Sequence, residues 1–217
     1  MLGVACGSLG ALTSIGADEL AHALDEVAAG DWTARTLPGL HLRYGESREL
    51  TAVNDLVLVR AAAGQVTVEI EIDGELLVRF AGDGLVAGTP LGSTAYTLAS
   101  GGPMLAPGAT GLTLTPLAPH GGVCPPVVTA PHSRVTVRLD PGNGGARVEL
   151  DGQVRADSAR PRLVPARLRA AYATLVALGD QEPPLAGLRR RRIILDSPRV
   201  LARDDRLNAA TLSSGGG

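Results

Sequence analysis

Val66-Thr-Val-Glu-Ile-Glu-Ile72, Asp73-Gly74 and Glu75-Leu-Leu-Val-Arg-Phe80 follow one another without interruption. Successive side chains of a strand point to opposite faces, so the period of two puts Val68, Ile70 and Ile72 on a buried face. Glu69 and Glu71 then fall on the wet face and read as surface residues rather than an acid/base pair. Asp-Gly suits the positive φ angles of a two-residue type I′ turn, so the segment is a β-hairpin. Further strands are expected at 56–60, 112–115, 135–139 and 147–150, the last followed by a second Asp-Gly turn, Asp151-Gly152. Strands joined by tight hairpins pair antiparallel, and the predicted fold class is mainly β: a twisted, multi-stranded antiparallel domain.

Outside this region the period changes. Between residues 18 and 29, Leu20, Ala23, Leu24 and Val27 recur at helical spacing, Asp18 and Glu19 suit a first turn, and Gly30 suits a stop. Residues 1–12 read as the tail of a buried strand turning through glycines. The expected organisation is therefore a strand and helix over 1–31, a β-rich domain over 32–180, and an arginine-rich helix/strand segment with a disordered tail over 181–217. No fixed-period repeat marks a solenoid or propeller.

Composition narrows the function classes. With 45% apolar residues, 28 Gly, 15 Pro and 2% aromatics in 217 residues, the core must be built from Val, Leu and Ala between many turns. A net charge of -2 gives no general attraction to nucleic acid or an anionic membrane, so phosphate recognition would have to be local. Cys6 and Cys124 match neither a disulfide framework nor a Cys-x-x-Cys zinc site and read as reduced thiols. No apolar run is long enough to span a membrane, and the expected compartment is the cytoplasm. No His/Cys cluster has metal-ligand spacing.

The stretch with chemical potential is Gly82-Asp-Gly-Leu-Val-Ala-Gly-Thr-Pro-Leu-Gly-Ser-Thr-Ala-Tyr-Thr-Leu-Ala-Ser-Gly-Gly-Pro103. Its glycines allow close approach of a ligand, and a helix expected to begin near Ser93 or Thr94, either serving as N-cap, would offer unpaired N–H groups. It lacks the lysine of a P-loop and the Gly-x-Gly-x-x-Gly of a dinucleotide fingerprint. From the residues alone it is either a plain glycine-rich connection or a nucleotide loop.

Asp-Gly-x-x-x-x-Thr-Pro-x-Gly-Ser-Thr-Ala-Tyr followed by Gly-Gly-Pro resembles the signature of the NAD kinase family. Val53-Asn54-Asp55-Leu56-Val57-Leu58 resembles its Asn-Glu motif with Asp for Glu, Leu114-Thr-Pro-Leu-Ala-Pro-His120 its Pro-His strand end, Leu150-Asp-Gly-Gln153 a late hairpin, and residues 2–12 the junction from its N-terminal domain, which implies that the strand and helix over 1–31 are a remnant of that α/β domain. The resemblance implies transfer of a phosphoryl group from ATP or polyphosphate, with a divalent metal such as Mg, to the adenosine-ribose 2′-hydroxyl of NAD, giving NADP. It places the dinucleotide on Asn54, Asp55 and Asp83, with Thr94, Ala95 and Tyr96 on the adenine side. Asp55 is one methylene shorter than the family's Glu, and Leu91 stands where relatives carry Ser or Thr.

Gln153 is either a lesser contact or an ordinary strand-end residue. His120 is a phosphate or subunit contact or a structural histidine. Arg189 to Arg192 either meet ATP phosphates or form a solvated face. The family's catalytic Asp lies in a Gly-Gly-Asp-Gly motif that is absent here, so no catalytic or metal-binding residue is assigned and the chain alone is expected to be inactive. The resemblance further implies a homo-oligomer, a dimer or tetramer. The alternatives are a non-catalytic NAD(P)-binding or oligomerisation module and a lipid kinase of the wider superfamily, against which Thr94-Ala95-Tyr96 speaks.

Overall fold

A computed structural model describes residues 1–5, 15–45, 48–160, 162–179 and 184–204. The chain divides into two units, Met1–Gly179 and Asp180–Gly217. The elements of the first are β1 (Val4–Ala5), β2 (Ile15–Gly16), α1 (Leu20–Ala29), β3 (Thr33–Tyr44), β4 (Arg48–Ala52), β5 (Asp55–Arg60), β6 (Val66–Ile72), β7 (Glu75–Gly82), β8 (Gly84–Gly88), α2 (Tyr96–Ala99), β9 (Thr113–Leu117), β10 (Val127–Val128), β11 (Arg134–Asp140), β12 (Ala146–Leu150), β13 (Gln153–Ser158) and β14 (Arg162–Ala177).

Among the described residues these strands form two six-stranded antiparallel sheets, ordered β4-β3-β14-β11-β6-β7 and β10-β9-β8-β5-β12-β13. The mainly antiparallel β class expected from the hairpins is thus what the chain adopts. Both Asp-Gly turns have the anticipated geometry: Asp73 and Gly74 take φ of 53° and 90°, Asp151 and Gly152 take 50° and 73°. Positive φ at both central residues gives a turn whose twist matches the flanking strands.

One apolar core joins the sheets. Leu40, Leu42, Val68, Ile70, Val137 and Val164 of the first pack with Leu56, Leu58, Leu85, Leu114 and Val148 of the second. The longer strands give every second residue to this core, as the period of two requires. The second sheet is also covered on its other face, where Val57, Val86, Thr113 and Thr115 are buried although they point away from the core. That cover comes from α2 and the loop leading to it, with Thr97 Oγ1 3.2 Å from Thr113 Oγ1.

At the N-terminal end β1 and β2 pair in parallel, and Leu2 bridges to Val176 of β14. The helix forms where the periodicity puts it, preceded by a 3-10 turn at Ala17–Glu19 and closed by Gly30 at φ 86°. Only part of its apolar stripe is covered: Ala23 is buried and Val27 packs beside Leu178, while Leu20 and Leu24 are exposed. Of the expected junction over residues 2–12, residues 6–12 lie outside the described residues, as do Cys6 and the expected disordered tail in the last dozen residues. In the second unit, α3 (Pro184–Arg190) ends in the arginine run, where Arg189 pairs with Asp196 at 2.7 Å. No helix among the described residues is long and apolar enough to cross a membrane.

Candidate functional site

The chain crosses from one sheet to the other at Val53-Asn54, between β4 and β5, and again at Asp83, between β7 and β8. Both crossings use residues singled out in the sequence. The second is a tight corner. Gly84 has φ of 152°, and a Cβ there would lie 2.0 Å from the Leu58 carbonyl oxygen, so no other residue fits. The corner turns Asp83 outward, where Arg60 Nε donates to its carboxylate at 2.6 Å while Arg60 N–H donates to the Asp83 carbonyl.

Beyond β8, residues 89–94 are sewn onto the first crossing. Thr89 Oγ1 donates to the Val53 carbonyl at 2.6 Å, Thr89 N–H donates to the Asn54 carbonyl at 2.8 Å, and Gly92 N–H donates to Thr89 Oγ1 at 3.1 Å. Gly92 lies so close that a Cβ would sit 1.9 Å from the Asn54 carbonyl oxygen. Ser93 is fully buried, donating to the Pro90 carbonyl and accepting from Leu105 N–H. The hydroxyls of Thr89 and Ser93 therefore hold the loop's own shape.

This corrects one expectation. Ser93 and Thr94 are not N-caps: they lie in a 3-10 turn, Gly92–Thr94, and α2 is a single turn beginning after Ala95 without a side-chain cap. The Thr94 hydroxyl donates to the Leu91 carbonyl. The Tyr96 N–H does not wait for a phosphate; it donates to the Asp55 carboxylate beneath it.

Asp55 is the most perturbed group of the site. It begins β5 on the face turned away from the core and is 4% exposed. Burial strips water from its charged form and raises its pKa; the Asp151 carboxylate raises it further, the Tyr96 N–H lowers it, and Glu149 adds a last upward push. The result is a shift from 3.8 to about 6. Asp151 is itself engaged, its two oxygens accepting the backbone N–H groups of Val53 at 2.9 Å, Asn54 at 2.7 Å and Asp55 at 3.2 Å.

An open cleft of about 270 Å³ runs along this face, lined by Val59, Asp83, Tyr96, Ser100 and the segment Pro116, Leu117 and Ala118. The Tyr96 residue is 42% exposed at its wall. Ala118 holds a positive φ of 43°, uncommon for a residue with a side chain and often met at ligand clamps.

The structure brings Asn54, Asp55, Asp83, Thr94, Ala95 and Tyr96 to one face of the second sheet. Gln153 is exposed on the far side of the Asp-Gly turn, and it is Asp151 of that hairpin that touches Asn54 and Asp55. His120 is exposed and tied by its backbone N–H to the Ala81 carbonyl at 2.8 Å, two residues beyond the cleft-lining Ala118. Sequence reading missed Thr89, Arg60 and Asp151. Asp151 was legible as a turn residue only, because nothing local to an Asp-Gly pair tells which backbone its carboxylate will meet.

The chain is similar to known proteins over most of its length. The family described as the ATP-NAD kinase C-terminal domain matches residues 53–172. The NAD kinase of Thiobacillus denitrificans is 39% identical over 162 residues, covering 72% of this chain and 56% of that protein. NAD kinase 1 of Streptomyces avermitilis is 37% identical over 165 residues, covering 73% and 44%. Among solved structures, yeast NADH kinase complexed with NADH superposes with a TM-score of 0.75 at 25% identity, over 90% of this chain and 59% of that one. An NAD kinase from Archaeoglobus fulgidus in complex with ATP shares the fold at a TM-score of 0.71 and 21% identity, over 89% and 74%. The chain spans about half the length of the curated relatives it matches.

Proposed function

The chain belongs to the NAD kinase family, and from that membership we propose that it supplies the dinucleotide-binding part of an enzyme that phosphorylates the adenosine-ribose 2′-hydroxyl of NAD with ATP or polyphosphate. The observation that carries this reading is the convergence of Asp55, Asp83 and Tyr96 on one cleft-bearing face, held there by the Thr89 to Tyr96 loop. Tyr96 offers a half-exposed ring to a base, Asn54 a carboxamide to base or amide edges, and Asp55 and Asp83 oxygens to ribose hydroxyls. Gln153 and His120 stand further out and take lesser parts, and Arg60 holds the Asp83 carboxylate in place.

The cleft's volume of about 270 Å³ lies just below the range of ligand pockets, roughly 300–1,000 Å³. It suits one nucleoside half of a dinucleotide, the remainder lying along the surface beyond. Phosphoryl transfer to a hydroxyl needs a carboxylate to orient or deprotonate it and a divalent ion to neutralise the phosphates. No group of three or more His, Cys, Asp or Glu among the described residues could hold a metal ion, so a resident ion does not fit them. The part assigned to this chain is to bind and orient the dinucleotide, and the ribose-orienting carboxylate belongs to the family's Gly-Gly-Asp-Gly motif, which this sequence lacks.

The test is calorimetric titration of the purified 217-residue chain with NAD, NADP and ATP, beside an assay for NADP formation. Saturable NAD or NADP binding without turnover is the expected result. A chain that binds neither dinucleotide would overturn the assignment of the site, and NADP formation would overturn the division of labour.

A further inference from the structure

We propose that Asp151 is a positioning residue of the dinucleotide site, its carboxylate gripping three consecutive backbone N–H groups so that Asn54 and Asp55 are presented beneath the Thr89 to Tyr96 loop. The proposal rests on the reading of Asn54 and Asp55 as ligand contacts given above.

Where a chain leaves one sheet for another, the N–H groups of the crossing have no ladder partner and need another acceptor. At Val53-Asn54-Asp55 that acceptor is one side chain, 96 to 98 residues further along the sequence, at 2.9, 2.7 and 3.2 Å. The Asp151 N–H closes the ring by donating to the Asp55 carbonyl at 3.1 Å. The carbonyls of the same crossing are taken from the opposite side by Thr89, whose hydroxyl meets Val53 and whose N–H meets Asn54. The segment is thus clamped on its N–H side by Asp151 and on its carbonyl side by the signature loop. An ionised acceptor makes shorter and stronger hydrogen bonds than a neutral one, which suits a carboxylate to this place.

The hairpin aims the clamp. Asp151 sits at φ 50° ahead of Gly152 at 73°, a conformation tolerated by Asp, Asn and Gly and resisted by most other residues. The groups facing Asp55 are the Asp151 carboxylate, Glu149 of β12 with Arg147 at 3.5 Å from it, and the Tyr96 N–H from the loop. The same carboxylate that fixes the backbone of Asp55 therefore also opposes ionisation of its side chain, and a residue that merely closed a hairpin would do neither.

Asp151→Asn and Asp151→Gly test this, because both residues accept the positive φ and leave the turn intact. The measurements on the purified chain are the NAD dissociation constant, amide exchange at residues 53–55, and titration of the Asp55 carboxyl by carbon NMR. In both variants the dissociation constant is expected to rise about tenfold. Exchange at the three amides is expected to quicken about tenfold while β6 and β11 stay protected, and the Asp55 titration to move down toward the ordinary range. Asp151→Glu keeps the charge but suits neither the positive φ nor the short reach to residues 53–55, so it should leave Asp55 high without restoring affinity. Unchanged affinity and unchanged exchange at 53–55 in both variants would overturn the proposal. If the parent chain binds no NAD, it is the functional reading that fails, and exchange with the Asp55 titration still decides the clamp.

Discussion

Replacing Asp55 by Asn should stabilise the chain at alkaline pH and not at acid pH. The folded-state pKa of Asp55 lies at about 6 against an ordinary 3.8. A carboxyl whose pKa is raised by folding contributes its stability below the unfolded value and loses it as pH rises through the folded one. The window is therefore about pH 4 to 6. Two units correspond to about 3 kcal/mol, which relaxation of the surroundings about a buried charge reduces to about 1.5–2 kcal/mol. Asparagine has the same shape, accepts the Tyr96 N–H through its carbonyl oxygen and carries no charge to be desolvated. At pH 8 the variant should thus be more stable than the parent by about 1.5–2 kcal/mol, raising Tm by roughly 4–6 °C in a unit of this size. At pH 4 the two should coincide. Thermal unfolding of both chains from pH 4 to 8 measures the difference, in which the titrations of groups remote from Asp55 cancel. A difference that stays flat across this range, or a variant less stable at pH 8, would refute the assignment of the raised pKa to burial beside Asp151.

The other predictions follow from the same face. Asp55→Asn should also weaken NAD binding by about tenfold at pH 7.5, so that calorimetry shows affinity falling as stability rises. Gly92→Ala must push a Cβ against the Asn54 carbonyl oxygen, 1.9 Å away; urea unfolding should show a loss of about 2 kcal/mol or more, with NAD binding abolished. Thr89→Val removes the hydroxyl between the Val53 carbonyl and Gly92 N–H, and its midpoint in urea should fall by about 1–3 kcal/mol equivalent. Tyr96→Ala leaves the loop's hydrogen bonds untouched, since Tyr96 uses its backbone N–H, and should lower NAD affinity about tenfold without shifting Tm by more than a degree or two.

The parts of the fold legible in the sequence are those where one local pattern suffices. The hairpin of β6 and β7 announces itself by alternation and Asp73-Gly74, and α1 by its 3.6-residue period and Gly30. Strands β4, β8, β10 and β13 escape, and so do the two longest, β3 and β14, which pair along most of their lengths. Residues 162–177, Arg-Leu-Val-Pro-Ala-Arg-Leu-Arg-Ala-Ala-Tyr-Ala-Thr-Leu-Val-Ala, are rich in helix formers and interrupted by proline. They are strand because β11 and β3 offer ladders on either side, pairing with β3 beginning only after Pro165. A bulge between Arg169 and Ala173 carries Tyr172 over Gly39, where a Cβ would lie 2.8 Å from the ring. None of those partners is local, so no window of the sequence contains the reason for the strand.

The site divides in the same way. A string of residues identifies the family because many positions agree at once, yet the structure gives most of that string to holding the loop rather than to facing a ligand. Thr89, Gly92 and Ser93 bond to backbone, Gly84 turns a corner, and among residues 82–96 Ala95 and Tyr96 are the exposed ones, with the half-buried Asp83 held by Arg60. The loop in turn is shaped by Val53-Asn54-Asp55, and that segment by Asp151 from the last hairpin of the second sheet. A replacement at Asp151 should therefore be felt at Tyr96, though 55 residues separate them, since Asp151 fixes the Asp55 backbone and Asp55 receives the Tyr96 N–H. If the face holds a dinucleotide as proposed, it does so through this chain of contacts, in which the proposed contact residues are a minority and the residues that place them, Thr89, Gly92 and Asp151 among them, lie far apart in the sequence.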